Sequence, residues 1–315
     1  MNRLRLALFT SACLAVTIAP ARAVDKAPAG TTPVQMVVTV EARHGHDVPV
    51  LSREDFMVRL EREKTQVTDA VPLLGGNADL ELFILVDEAS PLTLGSQLAD
   101  VRRFINSQAP NTAIGIGYMR NGMVDTAQAL TRDHVRAAKA LRLPMGAGSS
   151  PYLSLSELIK YWPASYARRE VLMLTSGADP LGGEGVENPY LDVAIADAQR
   201  AGIIVYAIYT GGMGHSAHSY WRMNWGRDYL AKLAEETGGE AYVMIPGTLV
   251  SIAPYLAEVT RQLNHQYRIT FPANADGKPG LRSVKPTTEV PNAEIVAASK
   301  VYVPSVSAVP ISITP

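Results

Sequence analysis

The sequence predicts an α/β fold: a doubly wound, mostly parallel sheet with one antiparallel edge strand, joined to a small β companion built from both ends of the chain. Three observations carry this. Short, almost wholly apolar runs alternate with amphipathic stretches between residues 79 and 264, as strands buried on both faces of a parallel sheet do. An Asn121-Gly122 pair between two extended runs is a strong hairpin signal, and it interrupts that alternation once. Period-two alternation returns on either side, before residue 75 and after residue 265.

In chain order, Arg3 and Arg5 precede an apolar run from Leu6 to Ala19 that ends in Ala21-Arg22-Ala23, the layout of a secretory signal peptide cut near Ala23. The expected mature protein is exported, periplasmic or extracellular, and no later run approaches the ~20 apolar residues of a membrane span. The only cysteine, Cys13, lies inside the signal, so no disulfide is available and stability must come from a packed core. Removing residues 1–23 removes three of the 29 basic residues and none of the 30 acidic ones, leaving a formal charge of −4. That is no footprint for nucleic acid.

Residues 24–35 read as a linker, and 36–74 as an N-terminal β segment: a strand from Val34, a turn at His44-Gly45-His46, a returning strand, then strands at Phe56–Leu60 and Gln66–Leu73. Gly75-Gly76-Asn77 marks a boundary. In the central region the strands are 80–86, 112–119, 171–175, 203–209 and 240–245. Helices are predicted from Leu94 to Gln108, Asp133 to Arg142, Leu153 to Trp162, Pro189 to Ala201, Trp225 to Thr237 and Thr248 to Asn264. Asp133 and Asn188 are helix starts, Gly202 and Gly238 stops. Residues 265–304 form the C-terminal β segment, and 305–315 a mobile tail.

Strand 80–86 delivers Asp87 to a loop reading Asp87-Glu88-Ala89-Ser90-Pro91, and the order of elements after it resembles the von Willebrand factor type A domain, specifically a bacterial exported branch related to it. "VPVLSREDFMV", "YLAKLAEETGGEAYV" and "LNHQYRITFPA" match that branch's framing segments, and the likeness spans most of residues 36–304. The resemblance implies a binding module whose loops at the C-terminal ends of the strands hold Mg²⁺ or Mn²⁺ through Asp-x-Ser-x-Ser, a threonine in the second loop and a later aspartate. Such ions take oxygen ligands in near-octahedral geometry. Here Ala89 and Pro91 replace both serines of the first motif, Ser149 or Ser150 stands for the threonine, and Ser176 stands for the aspartate, with Asp179 three residues on. The site is therefore degenerate. No cofactor is expected, with Asp87, Ser150 and Asp179 as residual candidates for a metal.

The expected function is metal-free protein binding by the rim residues Asp87, Glu88, Ser90, Ser149, Ser150, Ser176 and Asp179, extended by Tyr220 and Trp221. Trp225 and Tyr229 lie at helical spacing and fit a core face. Two alternatives remain: a metal-dependent adhesion module using Asp87, and an exported zinc hydrolase using His215 and His218. "GMGHSA" at 212–217 fits a relaxed dinucleotide fingerprint but opens into "HSYWRMNWGRDY" instead of an apolar helix, and it does not follow the first strand of the fold. No Gly-x-Ser-x-Gly, Cys-His pair or P-loop is present, and the Glu61/Glu63 and Glu235/Glu236 pairs read as solvated faces, so no enzyme is expected.

Overall fold

The computed structural model describes residues 31–45, 47–90, 94–183, 185, 187–211, 220–243, 251–274 and 278–305. Six strands form the central sheet: β5 (Leu80–Asp87), β6 (Thr112–Arg120), β7 (Met123–Thr131), β8 (Arg168–Thr175), β9 (Ile203–Tyr209) and β10 (Ala241–Val243). Their order is β10-β9-β8-β5-β6-β7. All neighbours are parallel except β6 and β7. That pair is the hairpin read at Asn121-Gly122, where both residues adopt positive φ (49° and 78°) as a tight turn between twisted strands requires.

Alternate residues of β5 explain the double winding. Leu82, Ile84 and Val86 face a core closed by α1 (Leu94–Ser107), α2 (His134–Lys139) and α6 (Ala253–Leu263). Phe83 and Leu85 face the other, closed by α3 (Pro151–Tyr161), α4 (Pro189–Ala201) and α5 (Tyr220–Thr237). Apolar side chains on both faces are why the run is continuous in sequence. Asp133 accepts the Arg136 N–H at 3.0 Å and Asn188 accepts those of Tyr190 and Leu191, so both start signals act as N-caps. Gly202 closes α4 at φ 64°.

The companion consists of two antiparallel sheets. One has the order β13-β1-β11-β4, from β13 (Ala293–Ala297), β1 (Thr31–Ala42), β11 (Gln266–Asn274) and β4 (Asp69–Pro72). The other is β14-β12-β2-β3, from β14 (Lys300–Val303), β12 (Gly280–Thr287), β2 (Met57–Leu60) and β3 (Glu63–Gln66). Val38, Phe56, Ile269, Phe271 and Val284 pack between them. Chain ends meet because β1 pairs with β11 and β13, and β2 with β12.

The boundaries differ from expectation in a few places. The predicted returning strand after residue 46 is absent among the described residues, since 47–52 make no ladder. The single strand expected over Gln66–Leu73 is divided between β3 and β4, which lie in different sheets; Thr68 at the corner donates its N–H to Thr270 O at 2.8 Å. α2 is six residues long rather than ten, because the chain from Leu141 is drawn off to serve the loop described next. Helix α5 starts at Tyr220, ahead of the expected Trp225. No helix among the described residues is long and apolar enough to cross a membrane.

Candidate functional site

Between β5 and β8 the chain order reverses: β6 and β7 lie on one side of β5, and β8, β9 and β10 on the other. The crevice at the carboxyl ends of such strands is where open α/β sheets place ligands. Asp87 ends β5 there, and the register that pairs Val86 with Leu174 sets Thr175 beside it. Thr175 Oγ1 donates to Asp87 Oδ2 at 2.6 Å, and the Ala89 N–H donates to Oδ1 at 2.8 Å. Thr175 Oγ1 in turn accepts the Gly177 N–H at 3.0 Å. Asp87 is fully buried, and burial pushes its carboxyl above the usual aspartate range, against the lowering effect of Thr175, Ala89, Ser149 and Ser176.

Around this pair the other predicted residues gather, each already engaged. Ser90 and Thr210 share a hydroxyl–hydroxyl bond of 2.9 Å between the first loop and the end of β9. Ser150 donates to Asp179 Oδ1 at 2.7 Å; the same carboxylate accepts from the Leu181 N–H and from Asn188 Nδ2. Ser176 Oγ accepts the Ala178 N–H at 3.4 Å. Tyr152, in the first turn of α3, donates to Gly177 O at 2.9 Å. Ser149 Oγ is buried without an aligned hydrogen bond, although the hydroxyl sits close enough to Asp87 to favour its charged form.

Glu88 has a different task. Its carboxylate is buried, takes a salt bridge from Arg142 and accepts the Met145 N–H at 2.6 Å, while its carbonyl accepts the Gly146 N–H at 3.0 Å. Arg142 also lies 3.7 Å over the Tyr118 ring. Thus Glu88 clamps loop 141–150 onto the first loop.

Of the residues read from the sequence as a binding rim, Asp87, Glu88, Ser90, Ser149, Ser150, Ser176 and Asp179 are all buried, and most of their side chains engage neighbouring loops. Buried polar groups must find partners, and here the nearest partners belong to neighbouring loops. Trp221 is 66 % exposed. The Tyr220 side chain, Pro91, His215, His218 and the glycine pattern at 212–217 lie outside the described residues. Trp225 and Tyr229 pack toward the core, Tyr229 edge-on to Tyr152 at 6.0 Å.

Thr175, Thr210 and Arg142 went unseen in the sequence. Thr175 carried a signal, a hydroxyl at the end of the strand next to the aspartate-bearing one. One backbone contact was also hidden: a Cβ on Gly177 (φ +68°) would lie 2.2 Å from Gly226 O, and one on Gly226 2.3 Å from Ser176 O. The loop after β8 thus rests directly on α5, and neither position tolerates a side chain.

Against a Mg²⁺ or Mn²⁺ ion this cluster fits poorly. Ala89 brings no ligand oxygen, Asp179 is held by three donors of its own, and both Asp87 oxygens already accept hydrogen bonds. No group of three or more His, Cys, Asp or Glu among the described residues could hold a metal.

No protein-family model matches the chain, and no curated protein does. Solved structures similar to it include von Willebrand factor A domains. A von Willebrand factor type A protein from Catenulispora acidiphila is 12% identical over 90% of this chain and 76% of its own, with TM-score 0.42. Three N-terminal domains of the type V pili tip protein Mfa5 from Porphyromonas gingivalis are 10% identical, over 89% and 67%, with TM-score 0.43. The ArnB paralog VWA2 from Sulfolobus acidocaldarius is 11% identical, over 88% and 77%, with TM-score 0.40. At these scores the sheet order and the two-faced helix layers, rather than the neighbours, are the ground for the fold.

Proposed function

We propose that the protein is an exported protein-binding module that engages its partner, without metal, through the loops at the C-terminal edge of the central sheet. The observation that carries this is a set of exposed apolar side chains on loops braced by the buried cluster. Leu143 and Met145 are 48% and 63% exposed, Leu181 is 56% exposed, and Trp221, in the first turn of α5, is exposed too. Met145 is tied by its N–H to Glu88, and Leu181 by its N–H to Asp179, so both project from held backbone. Rigid apolar and aromatic anchors on fixed loops lose little entropy on binding and suit a protein partner.

Under this reading the polar cluster fixes loop shape instead of touching the partner. Protein capture from an extracellular or periplasmic fraction, with and without EDTA, tests it against a variant carrying serine at Leu143, Met145, Leu181 and Trp221. The expected result is a partner retained in EDTA and lost in the variant. Capture that EDTA abolishes supports instead the metal-dependent reading, which the buried, unaligned Ser149 hydroxyl favours; capture indifferent to both treatments refutes the loop site.

A further inference from the structure

A row of like charges crosses the companion's outer face. Lys64 on β3 is directly opposite Arg59 on β2, and Arg59 is directly opposite Lys285 on β12. Residues paired across antiparallel strands share a face with Cβ atoms about 5 Å apart, and like charges so placed repel. All three side chains are exposed, and none has a hydrogen bond or ion pair among the described residues. The same three line a groove of about 870 Å³ together with Met57, Gln66 and Thr287. Of the carboxylates beside it, Glu54 is held by Arg53 at 2.8 Å, leaving Glu289 as the counter-charge.

We propose that this groove binds an extended acidic peptide segment of a partner protein, its carboxylates seated on the Lys64–Arg59–Lys285 row. The site is separate from the loops at the sheet's C-terminal edge. Charge complementarity names the chemistry: three cations in register, none in an ion pair among the described residues and with Glu289 as their one nearby counter-charge, on a chain of formal net charge −1, are a local feature and no consequence of overall basicity. A concave floor offers its cations to a narrow chain, whereas a flat lipid surface would meet the walls. Single-stranded nucleic acid uses exposed aromatic platforms, and the aromatic of the lining, Phe56, is buried in the core. Gln66 and Thr287 supply neutral donors and Met57 an apolar contact, as peptide recognition uses.

The test is fluorescence anisotropy of a labelled hexaglutamate peptide with the full mature chain at low and moderate salt. Expected are saturable binding that weakens with salt and a loss of about tenfold in the Arg59→Ser/Lys64→Ser/Lys285→Ser variant. A second variant, Lys285→Glu alone, should weaken binding in the same direction and guards against misfolding of the first. Lys139→Ser/Lys160→Ser/Lys232→Ser, with the same net charge, should bind as the wild type does. The proposal is overturned by absent saturation, by an equal loss in this control, or by tighter binding to anionic phospholipid vesicles or a single-stranded oligonucleotide than to the peptide.

Discussion

Replacing Glu170 by glutamine should flatten the protein's loss of stability between acid and neutral pH. Glu170 lies on β8, fully buried where the central sheet meets the companion. Neither carboxylate oxygen has an aligned hydrogen bond: Arg168 Nε is 3.8 Å away, and the Gln266 amide donates to Tyr206 instead. Burial, only partly offset by Arg168, raises its pKa from 4.5 to about 7. The folded protein therefore holds a proton that the unfolded chain releases between those values. This group's contribution is fully present below about pH 4.5 and is lost as pH rises through about 7. At about 1.36 kcal/mol per pH unit, the whole rise is worth about 3 kcal/mol. Glutamine keeps the shape and does not titrate. Urea unfolding at intervals from pH 4.5 to 8 should show the variant gaining on the wild type by about 3 kcal/mol, most of it between pH 5 and 7. Taking the difference cancels carboxylates shared by both proteins. A stability difference constant within about 0.5 kcal/mol across that range would refute the argument, since Glu170 would then be solvated or firmly paired in the folded state.

Other perturbations probe the loop framework. Thr175→Val keeps the shape but removes the hydroxyl that joins Asp87 to the Gly177 N–H; a loss of about 1.5–3 kcal/mol is expected in denaturant titration, and a loss below about 0.5 kcal/mol would show that the bond is absent. Gly226→Ala would press a Cβ on Ser176 O and should cost about 1–3 kcal/mol, whereas Gly76→Ala, with open space around it, should be close to neutral in the same assay. Arg142→Met leaves the buried Glu88 carboxylate without its cation; because Arg142 is itself about a third exposed, a cost of about 2 kcal/mol is expected. Faster hydrogen exchange at the Met145 and Gly146 amides should accompany it, and unchanged exchange there would show that the clamp does not hold this loop.

The fold was largely legible because its signals are local. Apolar runs on β5, β8 and β9, the Asn121-Gly122 turn, the caps at Asp133 and Asn188 and the stop at Gly202 all act within a few residues of themselves. What was missed locally was also small in scale, such as the corner at Thr68, where pairing with a strand two hundred residues away overrides the alternation of 66–73.

The sequence by itself placed Asp87 at the end of a buried strand through its periodicity, while the likeness to the von Willebrand factor type A pattern singled out Ser149, Ser150, Ser176 and Asp179 and the hydroxyls missing at positions 89 and 91. Only the tertiary structure decided which way those side chains face. Asp87 and Thr175 are 88 residues apart, Ser90 and Thr210 120 apart, and Ser150 and Asp179 29 apart. Nothing in a linear pattern says that each will spend its hydrogen bonds on another loop instead of on solvent or a partner. The same holds for the Gly177–Gly226 contact, for the buried carboxylate of Glu170 beside Arg168, and for the cationic row at 59, 64 and 285. Burial and charge proximity are sums over neighbours that only folding brings together, so the chain specifies them without displaying them.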